Sequence, residues 1–109
     1  MNFDMNKMLQ EAQRMQAELT KAQEEAASEV VEASAGGGMV TVKANGAGEV
    51  VSITIAPKAI DPDDPELLSD LVLAAVNEAL RSSRALMESK MSGLMPGGLG
   101  DLGGLLPGA

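Results

Sequence analysis

The segment MVTVKANGAGEVVSITI, residues 39–55, decides the fold because it predicts a β-hairpin. Its two flanking runs, Met39–Ala44 and Val50–Ile55, are rich in the β-branched residues Val, Ile and Thr, which favour strands. Between them, Asn45-Gly46-Ala47-Gly48 carries the residue types of a tight hairpin turn. The segment therefore predicts two antiparallel strands at the centre of the chain.

The register of this hairpin depends on the length of its loop. A four-residue loop places Val42 opposite Val51, whereas a loop of Asn45-Gly46 alone places Val42 opposite Glu49. We expect the four-residue loop, because it buries more apolar surface and leaves Glu49 at the mouth. One face of the hairpin then carries Val40, Val42, Val51, Ile53 and Ile55.

The sequence on either side of the hairpin adds a strand and two turns. Gly36-Gly37-Gly38 predicts a turn, and Glu29–Ala35 before it predicts a weaker strand built around two valines. After the hairpin, Asp61–Pro65 predicts a turn that leads into a helix. Asp64 suits the N-cap of that helix and Pro65 its first position. The three strands together predict an antiparallel sheet.

A long helix is predicted at each end of this sheet. The first, from about Asn2 to Ser28, has apolar residues in alternating steps of three and four, the pattern of a helix that packs on another helix as in a coiled coil. This apolar seam comprises Met5, Met8, Ala12, Met15, Leu19, Ala22 and Ala26. The second helix runs to about Ser92 with a wide apolar face.

The order of elements defines one α+β domain. The fold class is helix, three-stranded antiparallel sheet, helix, and we interpret the seam as helix packing within a homodimer with protruding helices. Residues 1–92 form this dimerising domain, while 93–109 are dominated by Gly, Leu and Pro and predict a flexible tail.

Basic residues follow one flank of the first helix. A spacing of seven residues puts all three on one side, which suggests contact with a regular polyanion such as duplex DNA: they are Lys7, Arg14 and Lys21. Each has an acid four residues later, so a solvated helix with weak ion pairs is the alternative. Those acids are Glu11, Glu18 and Glu25.

The second helix gains positive charge toward its end. Arg81, Arg84 and Lys90 lie there against Glu88 alone. They are candidate phosphate contacts, or else they complement the negative end of the helix dipole.

Composition restricts the chemistry. The formal net charge of −8 opposes nucleic-acid binding unless bases are separated from acids. The chain has no Cys and no His, which excludes disulfides and zinc fingers, and Phe3 is its one aromatic residue, too few for base stacking. Asp61-Pro62-Asp63-Asp64 is explained by turn and cap chemistry. We therefore predict no catalytic residue, cofactor or metal.

No signal peptide or membrane span is visible, so we expect a cytoplasmic protein.

Several local strings, in this order and spacing, resemble the YbaB/EbfC family of bacterial nucleoid-associated proteins. They are Met15–Leu19 (MQAEL), Ala35–Val40 (AGGGMV), Asn45-Gly46 with Glu49–Ile53 (EVVSI), and Asp70–Ala79 (DLVLAAVNEA). The resemblance covers nearly the whole chain.

The resemblance implies an α+β homodimer with protruding helices that binds DNA in the nucleoid and influences gene expression. Family contacts to DNA are attributed to basic residues of the helices, which in this chain are Lys7, Arg14, Lys21, Arg81, Arg84 and Lys90. The implied partners are duplex DNA and a second copy, with no membrane and no small-molecule substrate. The acidic charge leaves one alternative, a dimeric protein-interaction module that does not bind DNA directly.

Overall fold

A computed structural model describes residues 4–94 of the chain. Its elements are α1 (Met5–Ser28), β1 (Val30–Ala35), β2 (Val40–Asn45), β3 (Val50–Ile55), a 3₁₀ turn (Pro57–Ala59) and α2 (Pro65–Ser92). This confirms the predicted order of helix, three-stranded antiparallel sheet and helix, to which the structure adds the 3₁₀ turn. Apart from Gly93 and Leu94, the expected tail lies outside the described residues.

Local capping sets where both helices begin. The Asp4 carboxylate accepts a hydrogen bond from the Lys7 amide at 3.3 Å, so α1 begins at Met5. Asp64 caps α2 in the same way through the Leu67 amide, as the sequence predicted. Within the described residues, neither helix combines the length and apolarity needed to cross a membrane.

The sheet has the strand order β1-β2-β3, and both pairings are antiparallel. The predicted register of the hairpin is wrong: Val42 lies opposite Ile53 instead of Val51. The loop is shorter than predicted, because the Asn45 amide pairs with the Glu49 carbonyl at 2.9 Å. Only residues 46–48 form the loop, closed by Gly48 at a φ of 83°.

A β-bulge supplies the rest of the register shift. Lys43 lies opposite Ser52 and Ala44 opposite Val50, so Val51 has no partner on β2. The extra residue restores the alternation, and Ile53 stays on the face of the sheet that the sequence assigned to it.

The core lies where α2 crosses β1 and β2. Small side chains dominate it, so the helix approaches the sheet closely; its buried members are Ala33, Val40, Val42, Ala44, Ala75 and Ala79. The helix covers β3 much less. Val50 and Ile53 keep 38% and 46% of their surface exposed, although both lie on the apolar side of the sheet. The β3 side of that face is therefore uncovered in the single chain.

Only the C-terminal end of α1 packs against the sheet and α2. Ala22 and Ala26 are buried, and the Ala26 carbonyl accepts a hydrogen bond from the Gly46 amide at 2.8 Å. Residues 4–17 are exposed on all sides. The apolar seam is thus covered only in its last two turns, and the first half of α1 projects as a helical arm.

Candidate nucleic-acid interface

The predicted basic row lies along the exposed side of α1. A helix rises 1.5 Å per residue, so a seven-residue step separates successive bases by about 10.5 Å and the ends of the row by about 21 Å. All three side chains are exposed: Lys7, Arg14 and Lys21. Lys7 and Arg14 lie on the projecting half of the helix, where nothing else in the described chain covers them.

Arg14 is held by two acids of its own helix. Its guanidinium lies 2.6 Å from the Glu11 carboxylate and 3.0 Å from that of Glu18. The hydrogen bond that Arg14 donates to Glu11, and then the negative charge of both glutamates, raise the pKa of Arg14. Of the three expected i,i+4 pairs the structure contains Arg14–Glu18 and adds Arg14–Glu11. Any phosphate must therefore compete with two carboxylates for this side chain.

Lys7 and Lys21 have a different environment. The expected pairs with Glu11 and Glu25 do not form, and neither lysine has a carboxylate within ion-pair distance among residues 4–94. Their ammonium groups are open to solvent and to a polyanion.

The basic residues of α2 also differ in whether they form ion pairs. Arg81 binds Glu78 through two nitrogens, at 2.6 and 3.1 Å. Lys90 binds Glu29 at the C-terminal end of α1, 2.5 Å away, and this hydrogen bond raises the pKa of Lys90 against a smaller desolvation effect. Arg84 is exposed and forms no ion pair with the described acids.

Two exposed lysines lie outside the set of predicted contacts. Lys43 lies on β2, opposite Glu32 of β1 and Ser52 of β3, on the polar face of the sheet. Lys58 lies in the 3₁₀ turn. Period-two alternation places Lys43 on the polar face of the hairpin, but no sequence pattern joins either lysine to the basic residues of the helices.

The acidic turn has the geometry of turn and cap chemistry. The Asp61 carboxylate accepts from the Asp63 amide at 2.9 Å, and Asp64 caps α2. Across the part of the chain that the structure describes, no group of three Asp or Glu residues is arranged to hold a metal ion.

Comparisons with known proteins place the chain among named families and structures. The profile of the YbaB/EbfC DNA-binding family matches residues 1–99. A nucleoid-associated protein of Acetivibrio thermocellus is 48% identical over 102 residues, covering 94% of this chain and 89% of the relative. One from Thermoanaerobacter pseudethanolicus is 52% identical over 95 residues, covering 87% and 86%.

The fold has a solved counterpart. The crystal structure of an uncharacterized protein from Helicobacter pylori superposes with a TM-score of 0.75 at 21% identity, over 87% of this chain and 100% of that one. This similarity concerns the fold alone.

Proposed function

The chain belongs to the YbaB/EbfC DNA-binding family, and from that premise we propose that it is a nucleoid-associated protein that binds duplex DNA as a homodimer. The observation that carries the proposal is the family match over residues 1–99, which includes both basic helices. The role is binding without catalysis, and its place is the nucleoid of the bacterial cytoplasm.

The contacts are directed to the phosphate backbone. Lys7, Lys21 and Arg84 are the primary contacts, because they are exposed and have no carboxylate partner among the described residues. Arg14, Arg81 and Lys90 contribute less, since each must first leave an acid at 2.5–3.0 Å. A net charge of −8 repels DNA as a whole, so binding relies on these local phosphate contacts, and contacts of this kind weaken as salt rises.

The second copy covers the open β3 side of the apolar sheet face. Val50 and Ile53 of β3 are exposed there, and an open hollow of about 530 Å³ lies between Ile55, at the end of the same strand, and α2. Leu73, on the flank of α2 that lines this hollow, is 61% exposed. An apolar surface that continues to the free edge of β3 favours association with a like surface across a two-fold axis. The α1 arms are then free to bracket a duplex.

Duplex binding over a salt series tests this function. Each phosphate contact steepens the dependence of log K on log salt by about 0.9, so three bases in each of two copies give a slope of up to roughly −5. Changing Lys7, Lys21 and Arg84 to Ala should remove most of that slope. The control, Arg14 and Arg81 to Ala, should remove less. Binding that does not depend on salt, or that the triple change leaves intact, would contradict the proposal.

A protein-interaction module is the competing function. The negative net charge favours it, and so do the three basic residues that are already ion-paired with glutamates. Pull-down of binding partners by this protein, with and without nuclease treatment, distinguishes protein binding from DNA binding. A partner kept after nuclease treatment, together with no duplex shift at low salt, would replace DNA binding with protein binding.

A further inference from the structure

An apolar groove lies between the arm and the end of α2. Its volume is about 420 Å³, and its apolar lining comes from both helices: Ala12, Met15, Leu19, Met91 and Leu94. Glu18 and Gln16 border it. The groove begins where α2 stops covering the apolar seam of α1.

A second hollow continues along α1 toward its N-terminus. Its volume is about 480 Å³; it shares Ala12 and Met15 with the groove, and the charged residues Asp4, Lys7 and Glu11 border it. Met8 lines it and is 56% exposed, and Met5, one turn further along the seam, is 65% exposed. Together the two hollows form one apolar strip along the arm, which we call the arm groove.

We propose that the arm groove is the binding site of residues 95–109 of the same chain. Leu94, the last described residue, lines the groove, so the segment starts inside the site it would fill. The inference does not depend on DNA binding.

The length of the segment matches the length of the site. Met15 and Met5 are ten residues apart, which in a helix is about 15 Å. Fifteen residues of extended chain span up to roughly 50 Å, so the segment crosses the strip with length to spare.

Composition matches as well. The segment is MPGGLGDLGGLLPGA, in which Asp101 is the one charged residue and the leucines are Leu99, Leu102, Leu105 and Leu106. Glycines between the leucines let its backbone lie close to α1 while the leucines contact the methionines, which adapt to irregular partners.

A helix of a second copy is the alternative occupant, and concentration argues against it. A segment tethered at Leu94 faces the groove at an effective concentration in the millimolar range, about what short flexible linkers provide. A free second copy at micromolar concentration competes poorly for the same strip, whereas the partner within the proposed dimer competes only if its α1 arm reaches the strip.

A spin label on the segment tests the proposal in the full chain. The protein has no Cys, so Gly104→Cys gives one attachment point, and methionine methyl groups report from the groove. We expect strong broadening of the Met8 and Met15 signals. Met39 should stay sharp, because it adjoins the turn that touches Leu71, about 30 Å along α2 from Met91.

The matched control keeps the label and the chain length. With Leu99, Leu102 and Leu105 changed to Ser, broadening at Met8 and Met15 should fall severalfold, and amide exchange across residues 5–16 should accelerate at least about tenfold, the change that loss of one buried leucine supports. Equal broadening in both proteins would show no specific binding and overturn the proposal. Broadening that also appears when label and methyl probes are on separate chains would assign the groove to another copy.

Discussion

The amide nitrogen of Gly46 lies 2.8 Å from the carbonyl oxygen of Ala26, so the tip of the β2–β3 hairpin caps the C-terminal end of α1. A Cβ atom at position 46 would stand 2.3 Å from that oxygen, closer than atoms can approach. Position 46 must therefore be glycine, because any side chain would collide with Ala26. The contact also fixes the direction in which the α1 arm projects from the sheet and α2.

Replacing Gly46 by Ala should destabilise the protein by about 3 kcal/mol, because the backbone of α1 must move away and lose its cap. Urea unfolding measures this. The control is Gly48→Ala, where nothing lies within 4 Å of the added atom but φ is +83°; its backbone strain costs about 1–2 kcal/mol. A larger loss at position 48 than at 46 would contradict the role of the Ala26 contact.

The Ser83 hydroxyl holds the other side of the same loop. It is fully buried and donates to the Asn45 carbonyl at 2.5 Å. Ser83→Ala should lower the free energy of unfolding by about 1 kcal/mol, since one hydrogen bond of a buried hydroxyl is lost while the Asn45 carbonyl keeps the one from the Gly48 amide. The exposed Ser89, also on α2, should tolerate Ala within about 0.5 kcal/mol. Similar small losses at both positions would show that the hydroxyl contributes little.

The Lys90–Glu29 pair ties the two helix ends together and should be sensitive to alkali. Because the pKa of Lys90 is raised in the folded protein, its contribution is complete below the ordinary value of 10.5 and is lost as pH rises through the folded value. The stability difference between wild type and Lys90→Met should therefore shrink above pH 10.5. Thermal unfolding on both sides of that pH checks this. The control is Lys58→Met, which removes the same charge from an exposed turn that forms no ion pair among residues 4–94.

Element order was predictable because its signals are local. Gly36-Gly37-Gly38 and the Asp64-Pro65 start of α2 need only their own neighbours, and all three of these glycines have positive φ. The register of β3 was not predictable in the same way. It depends on how the loop that begins at Gly46 meets Ala26, and on Ser83, 38 residues away from Asn45.

The positions of the basic residues in the candidate site could be predicted from the sequence. Which of them are ion-paired could not. Seven-residue spacing placed the α1 bases on one exposed side. Whether a base is free depends on rotamers and on tertiary approach: Arg14 reaches back to Glu11 as well as forward to Glu18, and Lys90 meets Glu29 across two helices. The seam predicts one continuous packing stripe within a dimer; in the single chain α2 ends at Ser92 and covers only the last part of that stripe.

Charge on the open apolar face should separate the proposed dimer. Ile53 is 46% exposed in the single chain, and Asp in its place would put an unpaired carboxylate in the interface. We expect sedimentation to shift from two copies to one with an unchanged circular dichroism spectrum. Thr54→Asp, on the opposite face of β3, should leave the association intact. A dimer that survives Ile53→Asp would place the interface elsewhere.

Releasing Arg14 from its acids should strengthen duplex binding. With Glu11 and Glu18 changed to Gln, the guanidinium no longer has to leave two carboxylates before it meets a phosphate. If Arg14 then contacts DNA in both copies, the slope of log K against log salt should steepen by up to about 1.8. The control, Glu24 and Glu32 to Gln, removes the same charge from acids that hold no described base, so it should raise affinity through net charge with a smaller change in slope. Equal slopes for the two variants would mean that Arg14 contributes general charge and makes no phosphate contact of its own.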